Sequence, residues 1–204
     1  MKAFHLASLS AVTLALILFA APTNAAVTVL SGPVFNPATG HNYYLLSNSD
    51  WTDAQAEALT LGGNLATIND SNENTWVTQE FAFAGGIERN LWIGLNAAGF
   101  DGGNSNNYSW VSGQAAAYRD WAAGEPNFSD QYAQIVGITN ATAFGQWNNV
   151  SDITNAGYAS LPAIANFGVV EVVPEPTSSL LVLFGMAALF RLALLPRARR
   201  NAVR

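Results

Sequence analysis

Apolar runs occupy both ends of this chain, so only its middle is patterned to fold as a water-soluble unit. Residues 6–21 form one run behind Met1-Lys2; residues 178–195 form the other, ahead of Pro196-Arg197-Ala198-Arg199-Arg200. Between them lie residues 26–172, about 147 of the 204. That length supports one domain with a real core, because a chain of ~150 residues hides roughly two thirds of its surface on folding. Cysteine is absent. The core therefore forms without disulfides, and thiolate zinc sites, iron–sulfur clusters and a cysteine nucleophile are excluded.

The two ends read as targeting segments. A basic start, an apolar run and the small residues Pro22-Thr23-Asn24-Ala25-Ala26 predict a secretory signal peptide over residues 1–25, cut after Ala25; the alternative is a retained anchor. At the other end Val173-Pro174-Glu175-Pro176 precedes an apolar stretch that Arg191 interrupts. A spanning helix wants about 20 apolar residues, and a central arginine costs roughly 2.5–3.5 kcal/mol on insertion scales. As a permanent anchor the segment is marginal, whereas as a temporary stop during export it is adequate. The order Val-Pro-Glu-Pro, short apolar helix, arginine-rich end resembles the PEP-CTERM sorting signal of Gram-negative bacteria. The resemblance implies a sorting unit over residues 173–204, recognition of Pro174, Glu175 and Pro176 by an exosortase, and only transient membrane association. It also implies delivery to the cell surface or an exopolysaccharide matrix. An ordinary tail anchor is the alternative.

Once the ends are set aside, the charge becomes one-sided. Residues 26–172 hold two arginines, Arg89 and Arg119, no lysine and thirteen carboxylates, a net charge of −11. Such a surface cannot neutralise a run of phosphates, which excludes nucleic acid as a partner. Cations and neutral ligands remain.

Within the middle, β-favouring runs at 27–30 and 41–47 flank a turn-rich stretch and predict a hairpin. Asp50 caps a helix that Gly62-Gly63 stops, and Asp70 or Ser71 with Glu73 opens a second. Leu91-Trp92-Ile93-Gly94-Leu95 reads as a buried strand. From Asn96 to Asp130 periodicity fades into Gly, Asn, Ser and Ala punctuated by Tyr108, Trp110, Tyr118 and Trp121. A long irregular stretch of this kind in a compact domain usually has a binding role. Short strands are expected at 132–136, 145–150 and 167–172; residues 155–166 carry no clear pattern.

Taken in order, Asp50-Trp51-x-x-Ala54, Gly62-Gly63-x-Leu65-Ala66-x-Ile68, the Leu91–Leu95 strand, Trp110-x-x-Gly113, Trp121-x-x-Gly124-Glu125-Pro126-Asn127 and Trp147-Asn148-Asn149 resemble the C-type lectin-like domain. The resemblance spans residues 41–172. It implies an α+β fold with two short helices, small antiparallel sheets and a long binding loop. The family's disulfides have no counterpart here, Ala58 and the neighbourhood of Tyr132 standing where cysteines often do.

Glu125, Asn127, Asp130, Asn148 and Asn149 offer oxygen ligands only, the type that Ca2+ selects. The resemblance assigns these five residues to the metal. It assigns Glu125, Asn127, Asn148 and Asn149 also to carbohydrate, with Trp121 or Tyr118 as a stacking surface. In the family a cis proline turns two flanking side chains onto one ion, a role that falls to Pro126 between Glu125 and Asn127. Two vicinal hydroxyls complete the ion's shell, and the Glu-Pro-Asn form goes with mannose- or glucose-type sugars. Asn149 departs from the pattern, which has Asp there, and Asp130 stands where Glu is usual. The expected partner is therefore carbohydrate, such as exopolysaccharide, bound with Ca2+. A calcium-independent structural or protein-interaction module on the same scaffold is the alternative. Catalysis has no support: outside the leader His41 is the single histidine, no lysine remains and no G-x-S-x-G elbow is present. A Glu125/Asp130 glycosidase pair would leave Asn127 and Asn148 unexplained.

Overall fold

The computed structural model describes residues 26–97, 103–158 and 161–174. The expected leader and all of the sorting segment beyond Pro174, including Glu175 and Pro176, lie outside the described residues. Pro174 itself is exposed. Among the described residues no helix is long and apolar enough to cross a membrane.

Among the described residues nine strands and two α-helices follow one another as β1 (Val29–Asn36), β2 (His41–Asn48), α1 (Trp51–Thr60), β3 (Asn64–Leu65), α2 (Ser71–Phe81), β4 (Asn90–Ala97), β5 (Tyr108–Trp110), β6 (Tyr132–Ile135), β7 (Trp147–Val150), β8 (Asn155–Ala156) and β9 (Ile164–Val172). The main path through the sheet is β1-β2-β9-β4-β6-β7. All its pairings are antiparallel except β4 with β9, so the sheet is mixed where small antiparallel sheets are expected. The cause is the length of β9. Its first half reaches β4 in parallel while its second half closes against β2, tying the two ends of the domain together.

Both helices begin and end as their sequences dictate. Asp50 caps α1 by accepting from Asp53 N (2.9 Å), and Asp70 caps α2 by accepting from Asn72 N and Glu73 N (2.8 and 2.9 Å). The exit of α1 is a Schellman arrangement, with Gly63 N donating to Ala58 O and Gly62 N to Leu59 O.

The sheet is buried on both faces, which explains why β4 is apolar almost throughout. Leu91, Ile93 and Leu95 point to the α2 side with Leu45, Val77, Phe81 and Val169. Trp92 points to the α1 side with Leu46, Trp51, Ala54, Leu65 and Val170. The period-2 alternation of β2, β4 and β9 thus feeds two cores at once. Gly94 breaks the apolar run for a steric reason: a Cβ there would lie 2.3 Å from Leu65 O, where β3 crosses.

The hairpin forms, but β1 starts later and runs farther than the expected 27–30. It continues through Gly32-Pro33, with register shifts on both sides of Ser31. Gly32 has φ 119° and passes so close to β2 that a Cβ would meet Tyr43 O at 2.6 Å. Because β1 is the sheet edge, a proline there removes no ladder hydrogen bond. The patternless 155–166 stretch supplies β8, which pairs with the start of β9.

Candidate functional site

The long loop is fastened to the fold by its aromatic residues. β5 pairs with Leu95–Ala97 of β4. Trp110, Tyr118 and Trp121 each set an edge against Trp147, with ring centroids 5.6–5.8 Å apart. Trp147 in turn donates its indole N–H to Asn74 Oδ1 (2.8 Å). Trp121 also meets Tyr108, at 4.9 Å, and forms a bridge with Trp147 through its backbone. Trp121 is thus half-buried, with its ring packed against the aromatic cluster of the core. Tyr118 packs on the same cluster; burial and the neighbouring Asp120 push its hydroxyl up to about 12.

Both arginines of the domain are committed to the scaffold. Arg119 lies 5.4 Å from the Trp110 ring centroid and donates to the carbonyls of Ala116, Tyr118 and Tyr108. Arg89 lies over Phe167 and donates to Ala84 O and Ile87 O. Neither is spent on an anionic ligand.

Three of the expected ligand residues come together in one hydrogen-bonded group. The Glu125–Pro126 peptide is cis, and Asn127 Nδ2 donates to Glu125 Oε1 (2.7 Å). Asn149, on β7 and buried, accepts from Asn127 N through Oδ1 (2.8 Å). Its Nδ2 donates to Asn127 O (2.6 Å) and Asp130 O (3.0 Å). Only one orientation of the amide satisfies all three bonds, since the flipped form would aim its oxygen at two carbonyls. A carboxylate at 149 could make one of the three. The residue that departs from the family pattern thus acts as a clamp on the loop.

The other two expected ligands are placed differently. Asp130 joins the group through its backbone carbonyl, which also accepts from Tyr108 OH (2.6 Å). Its carboxylate accepts from Ser151 Oγ and lines a separate hollow of about 250 Å³ with Tyr132 and Asp152. Asn148 neighbours Asn149 on β7, opposite Gln134 of β6, and is largely buried.

Glu125 is the electrostatic centre of the group. Its Oε2 is buried and has no hydrogen-bond partner in the protein. Burial raises the carboxyl above its ordinary value of 4.5, the Asn127 N–H opposes the rise, and the Asp130 charge adds to it. A desolvated carboxylate oxygen without a donor fits a hard cation. Among the described residues no three carboxylates or histidines converge, so such an ion would rest on amide oxygens as much as on charge.

Residues 47–159, more than half of the chain, match the profile of the lectin C-type domain. A perlucin-like protein of Mytilus galloprovincialis is 32% identical over 104 residues, covering 48% of this chain and 64% of its own length. The galactose-specific lectin nattectin of Thalassophryne nattereri is 33% identical over 78 residues, 38% of this chain and 46% of its own. The chain thus spans less than two thirds of these relatives. Among solved structures, the C-type lectin CEL-I from Cucumaria echinata superposes with a TM-score of 0.51 at 21% identity, over 66% of this chain and 91% of its own, a likeness of fold.

Proposed function

The chain belongs to the C-type lectin domain family, and from that premise we propose that it binds carbohydrate, with Ca2+, at the group formed by Glu125, Asn127 and Asn149, with Asn148 next to Asn149 on β7. The observation that carries this reading is Glu125 Oε2, a buried carboxylate oxygen with no protein donor. Leaving such an acceptor unmatched costs roughly 1–3 kcal/mol or more for a charged group, a cost that a bound ligand would offset. Glu125, Asn127 and Asn148 would hold the ion through side-chain oxygens. Asn149 would add at most its Oδ1, which already accepts from Asn127 N. The bound ion supplies a charge that orients neighbouring sugar hydroxyls, and the Glu125 and Asn127 side chains accept from and donate to those hydroxyls. The Glu125-Pro126-Asn127 form favours mannose- or glucose-type rings, in contrast to the relative that is named galactose-specific.

Residues 1–25 and 173–204 would export the chain and sort it to a Gram-negative surface or matrix, where exosortase acts on Pro174-Glu175-Pro176. The mass of the mature protein tests this: intact ends in the surface fraction would refute it.

The test of the site is a thermal melt of the full chain in ~5 mM calcium and in chelator, a concentration above the weak extracellular range, followed by retention on immobilised glycans. A calcium-dependent upward shift together with retention supports the reading. Superimposable melts remove the ion; absence of retention under both conditions removes carbohydrate binding and leaves a structural surface module.

A further inference from the structure

Between α2 and the turn of residues 141–146 lies a hollow of about 240 Å³ that the Glu125 group does not use. Asn74, buried on α2, ties its walls together. Its Oδ1 accepts from Trp147 Nε1 (2.8 Å), and its Nδ2 donates to Gly145 O (2.9 Å) and to Asp120 Oδ2 (3.2 Å). The turn is locked by its own backbone, with Phe144 N donating to Ala141 O, Gly145 N to Val136 O and Gln146 N to Ala143 O. Walls fixed by this many bonds stand before any ligand arrives, which lowers the ordering cost of binding.

The lining defines what the hollow can take. Asp120 is its only charged side chain. Asn74 and the Tyr118 hydroxyl stand beside that carboxylate, but neither carries charge, and a carboxylate offers about four acceptor positions. Thr75 Oγ1 donates to Ser71 O (2.8 Å), so toward a ligand it acts as an acceptor. Gln79 and Gln146 line the hollow with amides that no other described residue engages. Phe144 adds a ring that is 40% exposed, although Ala143 beside it is buried. A single carboxylate without a cation rejects anions, and an excess of acceptors favours a donor-rich ligand. The volume lies below the roughly 300–1,000 Å³ of drug-sized sites, which suits one ring and not an extended chain.

We propose that this hollow is a second, metal-independent binding site for a hydroxylated ring bearing a free ammonium group, an amino sugar of the hexosamine class. The ammonium meets Asp120, the ring hydroxyls meet the Gln79 and Gln146 amides, and the apolar ring face lies toward Phe144. Charge-assisted hydrogen bonds are roughly twice as strong as neutral ones, which favours the amine over a hydroxyl at Asp120. The net charge of −11 over residues 26–172 draws cations to the domain. A lysine side chain carries the same ammonium, but its apolar stem would lie against amides and hydroxyls. The site goes beyond the carbohydrate reading above: it uses none of Glu125, Asn127, Asn148 and Asn149, and needs no calcium.

Titration of the isotope-labelled full chain in chelator tests this, with glucosamine, glucose, N-acetylglucosamine and butylamine as probes and the side-chain amide signals of Asn74, Gln79 and Gln146 as readout. Expected are shifts of these signals with glucosamine and binding of glucose and N-acetylglucosamine weaker by at least about tenfold. Asp120→Asn, which keeps an acceptor for Asn74, should abolish the preference for the amine. Phe144→Leu should weaken glucosamine by about three- to tenfold. Should Asp120→Asn melt lower than wild type, the salt dependence of wild-type binding decides, since added salt screens an accessible ion pair and leaves neutral contacts alone. Equal binding of glucose and glucosamine would remove the ammonium from the proposal. Butylamine binding as tightly as glucosamine would transfer the site to a lysine-bearing protein. Signals unmoved by every probe would refute the site. Because the titration is made without calcium, each of these outcomes is separate from the calcium melts that test the Glu125 group.

Discussion

Two groups of buried carboxylates in this fold are finished differently. At the sheet end near α2, all four oxygens of Glu73 and Glu171 meet protein donors. Glu73 accepts from Tyr43 OH (2.6 Å) and from Asn69 N and Nδ2 (2.8 and 3.1 Å). Glu171 meets His41 Nδ1 and accepts from Thr67 N (2.9 Å), with Tyr43 OH at 3.5 Å. In the loop, Glu125 has one oxygen on Asn127 Nδ2 and the other on nothing. Burial raises both Glu171 and Glu125, so desolvation alone does not tell a structural acid from a binding one. Saturation does: a closed set of donors leaves nothing for a ligand, while an open acceptor invites one.

The contrast makes graded predictions. The largest effect belongs to Glu73→Ala, which removes the acceptor of Tyr43 OH and of Asn69 N and Nδ2 inside the core and should destabilise the chain by about 3 kcal/mol in denaturant unfolding, with calcium making no difference. A loss below ~1 kcal/mol would mean that the network is not structural. Next comes Asn149→Asp. In chelator it loses the two Nδ2 bonds and should fall by about 1–2 kcal/mol; in calcium the added carboxylate should restore much of this, so its calcium-induced melting shift exceeds that of wild type. Equal stability of the two proteins in chelator would refute the clamp.

Glu125→Gln should leave the chelator melt near that of wild type and remove the calcium shift, which for a dissociation constant tenfold below the calcium concentration is about 1.4 kcal/mol. A shift that survives this substitution would move the ion elsewhere. The smallest effects are those of pH. Glu171 titrates above its ordinary 4.5 when folded, so the stability it contributes is full below that value and is lost as pH rises through the folded pKa. Glu171→Gln should flatten the wild-type decline in melting temperature over that window. For Glu125, raised in the same sense, protons compete with calcium, and the calcium shift should shrink on acidification before pH reaches 4.5.

Much of the fold was legible because its signals are local. Asp50 and Asp70 announce helix starts, Gly62-Gly63 a helix exit, and Leu91-Trp92-Ile93-Gly94-Leu95 a strand buried on both faces; the structure places each within a residue or two. The end of β1 falls beyond the expected one because Gly32-Pro33 reads as a turn when no partner strand is known. The parallel pairing of β9 with β4 was invisible, because no local pattern records which distant strand a segment will join. In the candidate site, residue types pointed to oxygen ligation, but Trp121 as a sugar-stacking surface rested on its neighbours in sequence and not on where its ring packs.

By itself the sequence determined the outer terms of this protein. Two apolar ends frame an acidic, cysteine-free domain with no arginine or lysine to spare for phosphates, and six ordered motifs select a lectin-type α+β scaffold. The ends and the charge balance follow from composition, and the helices and strands from periods of 3.6 and 2 residues, which chain-local physics sets; the lectin-type scaffold follows from the resemblance of the motifs to a known family. Only the tertiary structure decided what each polar side chain does. What Asn149 hydrogen-bonds, what the Trp121 ring packs against, and whether a buried glutamate is saturated or open depend on groups tens of residues away. Hydrogen-bond saturation is a property of the packed neighbourhood, and no single stretch of chain contains it.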